Sequence, residues 1–106
     1  MSTIVTKTPE EKPRAWFFRN FREDIIRHLR NLVAGKNSKD SKEILDVYFM
    51  CLPVMVEDDH KQASIFDQVR SLEATAPLLK SGTPAMRRQY EEESFLLFST
   101  LRKLAH

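Results

Sequence analysis

Glycine is nearly missing from this chain, with only two in 106 residues, where about 7% is usual. Scarce glycine leaves few tight turns, which argues against many short strands and for long helices joined by few loops. Cysteine occurs once, as Cys51, which excludes an internal disulfide. Its setting in "YFMCLPV" predicts burial and fits a reducing compartment. No apolar run approaches the roughly 20 residues needed to cross a bilayer; "VYFMCLPVMV" is the longest. The opening "MSTIVTKTPEEKP" lacks the apolar core of a secretory signal. The expectation is an intracellular, soluble protein without membrane insertion. A net charge of only +2 excludes coating nucleic acid by bulk charge, so any basic surface must come from asymmetry.

Catalytic patterns are also scarce. Gly35 and Gly82 stand alone, so there is no glycine-rich phosphate loop. His28, His60 and His106 have no companion at the spacing a nucleophile or base would need. "EDDH", Glu57 to His60, contains metal-ligand residue types, but neighbouring residues of a helix point apart. A helix N-terminus, which favours negative charge, accounts for those acids. The sequence therefore predicts no catalytic residue, no metal, no cofactor, no small-molecule substrate and no enzyme activity.

What is present fits one domain. The expected fold class is all-α, a single small bundle of about four helices over residues 14–106, behind a flexible N-terminal arm at 1–13. Pro13 opens helix 1, which runs to about Val33, and Gly35 stops it. Asp40, with Glu43 three residues on, reads as the N-cap of helix 2. That helix is apolar all round, so it is expected to be the most buried element, kinked or broken at Pro53. Asp46, its one interior charge, calls for an arginine from helix 1 or 4. Helix 3 carries Ile65, Phe66, Val69, Leu72 and Ala76 at helical spacing and stops at Pro77. Thr83 and Pro84 start helix 4.

Two stretches suggest function. "RAWFFRNFREDIIRHLRNLV" holds five arginines, a tryptophan and three phenylalanines. On a wheel, Phe17, Phe18, Phe21, Ile25, Leu29 and Leu32 share one face, with Arg19, Arg27 and Arg30 opposite. Five arginines against Glu23 and Asp24 leave +3 in these twenty residues. The plain reading is a solvated face laced by i,i+4 pairs. The sharper one is a nucleic-acid-binding stripe of Arg14, Arg19, Arg22, Arg27 and Arg30, gripping phosphates. Trp16 lies among the arginines and is a candidate anchor for a partner.

The second stretch is helix 4. Met86, Tyr90, Leu97, Leu101 and Leu104 form its core stripe. Phe95 and Phe98 lie off it, beside Arg88, Glu91 and Arg102. Either helix 4 is wedged between two neighbours, or Phe95 and Phe98 centre a contact surface with Arg88 and Arg102 in its rim. The leading expectation is a non-catalytic protein–protein interaction module, a small regulatory or accessory protein whose partner is another protein or itself. The alternative is an RNA- or DNA-binding protein using the basic face of helix 1.

Overall fold

The computed structural model describes residues 13–105, and these form four α-helices and one 3-10 turn. The helices are α1 (Pro13–Val33), α2 (Lys39–Met55), α3 (Asp59–Thr75) and α4 (Pro84–Leu104), with the 3-10 turn at Ala76–Ser81 between the last two. No strand occurs among the described residues. The chain is thus the small all-α bundle its composition predicts. The arm ahead of Pro13 and His106 lie outside the described residues.

Local chemistry sets most of the helix ends. At the end of α1, Gly35 adopts φ 72°, a conformation that costs glycine nothing. Lys36 N–H then donates to the Asn31 carbonyl at 2.9 Å and Gly35 N–H to Leu32 at 3.1 Å, a complete Schellman stop. At the start of α4, Thr83 Oγ1 accepts from Met86 N–H at 3.1 Å, with Pro84 in the first turn. Asp58 caps α3, accepting from the N–H groups of His60 and Lys61.

The start of α2 departs from expectation. The helix begins two residues early, so Asp40 is in its first turn, not at its cap. Ser38 occupies the cap position without a side-chain cap bond, and Asn37 Oδ1 takes the Lys39 N–H instead. Asp40 still favours the helix there, through the dipole. Nor does α2 break at Pro53, since it continues to Met55. Pro53 forfeits the one bond to the Phe49 carbonyl, and the helix runs only two residues past it.

The largest departure concerns burial. The central element is α1, which packs against α2, α3, α4 and the 3-10 turn, whereas α2 and α4 do not meet. Phe17, Phe18, Phe21, Ile25 and Leu29 fill the middle. An aromatic chain runs outward from them: Phe21 stacks on Tyr48 at 5.0 Å, meets Phe49 edge-on at 5.6 Å, and Phe49 meets Phe66 at 4.9 Å. Burial and a 2.6 Å hydrogen bond to the Asp24 carboxylate push the Tyr48 hydroxyl well above the usual tyrosine pKa. Because α2 has only α1 and α3 as neighbours, it buries just Leu45 and Leu52 fully. Cys51, expected inside, is exposed. Phe66, expected in the core, keeps 41% of its surface exposed.

Candidate functional site

The edge position of α2 leaves an apolar row on its outer face. Ile44 is 44% exposed, Val47 59% and Val54 80%, and Cys51 is exposed with them. Their spacing is three, four and three residues. At 100° per residue they lie within about 80° of one another, the narrow stripe of a two-helix seam. Met50, 79% exposed, borders the row. Large apolar side chains packed this way on one helix are unlike the scattered ones any surface carries.

The outer face of α4 holds the aromatic pair singled out from sequence, but the pair is divided. Phe95 projects outward at 71% exposure, beside Leu96 at 62%. Arg88, Glu91 and Glu92 surround them in a shallow hollow. Phe98 turns the other way and packs against the core. Arg102 is on a separate hollow between α1 and α4, with Arg19 and Arg22. Trp16 is 48% exposed near the start of α1.

The five arginines of α1 are likewise dispersed. Arg14 Nε donates to the Leu104 carbonyl at 2.7 Å and its guanidinium lies 5.9 Å from the Phe18 ring centre. Arg27 pairs with Asp24 at 2.6 Å. Arg19 and Arg22 face the hollow shared with Arg102, while Arg30 lines a groove elsewhere.

That groove runs between α1, the 3-10 turn and α4, with a volume of about 600 Å³. Its walls are Ile26, Leu29 and Val33 of α1, Leu79 of the turn, and Tyr90 and Phe98 of α4. Burial raises the pKa of the Tyr90 hydroxyl. Arg30, Lys80 and Arg87 also line the groove, with Glu91 as the one acid. Arg87 Nε donates to the Leu79 carbonyl at 3.1 Å.

A buried polar chain, not anticipated from sequence, links three helices. His28 is 1% exposed. Its Nδ1 lies 2.7 Å from Ser41 Oγ on α2 and its Nε2 lies 2.6 Å from Glu73 Oε2 on α3. Ser41 gives its proton to the Ser38 carbonyl at 3.0 Å, so the ring nitrogen donates in the first contact. Arg70 holds the other Glu73 oxygen at 2.6 Å and reaches Asp46 at 3.3 Å. Asp46 is therefore neither enclosed nor served by α1 or α4: its side chain is 48% exposed and its partner is on α3. The reason is that α3, not α4, packs on α2. The Arg70 guanidinium also sits 5.2 Å and 4.8 Å from the Phe49 and Phe66 ring centres. Burial works against its charge, but Glu73 and Asp46 outweigh that and raise its pKa.

No three His, Cys, Asp or Glu side chains among the described residues gather around a common point for a metal. No helix among them is long and apolar enough to cross a membrane. Comparison with protein families, with curated proteins and with solved structures finds no match.

Proposed function

We propose that the protein is a non-catalytic interaction module, a small regulatory or accessory protein that associates through the outer face of α2, with a second copy of itself as partner. The observation that supports this is the exposed row Ile44, Val47, Cys51 and Val54. Two such rows interlock as knobs in holes. The same row on both subunits makes a contact that closes on itself around a twofold axis. The row has no charged side chain, so pairing it strands no ion in the interface. A non-catalytic role is supported by the state of His28. It has a hydroxyl on one side and a carboxylate on the other, but at 1% exposure no substrate reaches it.

Light scattering over a dilution series tests this. The expected mass is twice 12.4 kDa at high concentration, falling toward the monomer on dilution. Val47→Glu combined with Val54→Glu should give a monomer throughout, with the helical circular dichroism unchanged, because both side chains are more than half exposed. Cys51, the only thiol, reports on the same face: its labelling by a thiol reagent should slow as the unmodified protein is concentrated. A monomer up to about 100 µM, where even a weak contact is populated, with constant Cys51 reactivity, would sink the self-association.

A second reading, nucleic-acid binding, has one observation in its favour: Arg19, Arg22 and Arg102 surround a single hollow between α1 and α4. Three guanidinium forks there suit phosphate oxygens. Against it, Arg14, Arg19 and Arg27 already interact within the chain. If the reading holds, RNA or DNA should bind at about 50 mM salt and weaken steeply as salt rises. Changing Arg19, Arg22 and Arg102 to Gln should then remove the binding. Absence of binding by the unmodified protein at that salt ends this reading.

A further inference from the structure

We infer that the groove between α1, the 3-10 turn and α4 binds a single-chain amphiphile with an anionic head, a molecule of the fatty-acid class. The inference is independent of the role given to α2.

The groove has a direction. Arg14, in the first turn of α1, bonds to Leu104 at the end of α4, so the two helices run antiparallel along the groove. Arg30 is in the last turn of α1, Lys80 is in the 3-10 turn, and Arg87 is in the first turn of α4. All three cations therefore belong to one end. Phe98 belongs to the other, about 16 Å along α4 from Arg87 at the usual rise of a helix, and Ile26 lies one turn from Arg30 in its direction. Among the described residues, none of the three cations pairs with a carboxylate. Glu91 offsets one charge, which leaves a net positive mouth on an apolar trough. A charged head with a hydrocarbon tail matches that pattern in both chemistry and order.

Size favours a small molecule over a peptide helix: about 600 Å³ falls within the roughly 300–1,000 Å³ of small-ligand sites.

The test uses the full chain and dodecanoate, decanoate, dodecanol and dodecylammonium, each below its micelle concentration, followed by titration calorimetry. Dodecanoate should bind once per chain. Decanoate should bind about tenfold more weakly, the loss for two unburied methylenes. Dodecylammonium should bind weakest. Changing Arg30, Lys80 and Arg87 together to Gln should weaken dodecanoate about tenfold and leave dodecanol unaffected. Ile26→Trp, which fills the trough from a partly exposed position, should remove binding of both while helical circular dichroism stays intact. The inference is overturned if no saturable binding at one per chain occurs. It is equally overturned if dodecanoate binding survives both sets of changes, or is lost instead in the Val47→Glu, Val54→Glu protein, which would put the amphiphile on α2.

Discussion

Phe21→Ala is expected to cost about 3–5 kcal/mol of stability, a large share of the roughly 5–15 kcal/mol that holds a domain of this size together. The Phe21 ring is completely enclosed. It stacks on Tyr48 at 5.0 Å and touches Phe49 at 5.6 Å and Phe17 at 5.8 Å. Truncation leaves a void where α1 meets α2, and the rings around it lose their packing surface together. Phe95→Ala is the control. That ring is 71% exposed, so its loss should change stability by less than about 0.5 kcal/mol. Urea midpoints for the two variants measure the contrast. If they fall close together, Phe21 is not the keystone of the α1–α2 contact.

The second large effect is expected at His28. Removing it with alanine deletes a buried ring and takes one hydrogen-bond partner each from Ser41 and Glu73, which keep their bonds to the Ser38 carbonyl and to Arg70. Emptying a buried ring-sized site and losing its two hydrogen bonds together costs about 3–5 kcal/mol. Ser41→Ala removes a hydroxyl that makes two hydrogen bonds but leaves no ring-sized void, and should cost less, about 1–2 kcal/mol. A double-mutant cycle of His28→Ala with Glu73→Ala separates the contact from the cavity: the two changes should couple by more than about 1 kcal/mol. Additive effects would mean that His28 contributes by volume alone.

The parts of the fold legible in sequence are those fixed by chemistry within a few residues. The α1 stop needs only Gly35 and its neighbours, and the α4 start needs only Thr83 and Pro84. The buried face of α1 follows from helical spacing alone, because a helix touched on several sides still shows its largest side chains to the core. For α2 the same spacing misleads. Apolar residues all round it imply burial all round, but burial depends on how many helices come to pack, and α4 does not. The signal that was available is the three–four–three spacing of Ile44, Val47, Cys51 and Val54. It was hidden because Leu45, Tyr48, Phe49 and Leu52 fill the spaces between them. The polar chain was beyond reach, since Ser41 and Glu73 lie 13 and 45 residues from His28. The groove cations were equally beyond reach. Arg30, Lys80 and Arg87 come from three separate elements, and each read singly is an ordinary solvated charge. Among the arginines of α1, charge density was visible but direction was not, and Arg14, Arg27 and Arg30 serve three different surroundings.

The bond from Arg14 to the Leu104 carbonyl makes the first and last turns of the bundle neighbours in space, although 90 residues separate them in the chain. The helices therefore form a closed circuit: α1 follows α4 in space much as α2 follows α1. A circuit has no obligatory opening. The polar loop at Gly35–Asn37 is exposed and makes few bonds beyond the Schellman stop and the Asn37 cap, so the same bundle could be read out as α2, α3, α4, α1 by joining α4 to α1 and cutting there. The order in which these helices are synthesised is then a property of the gene and not a requirement of the packing.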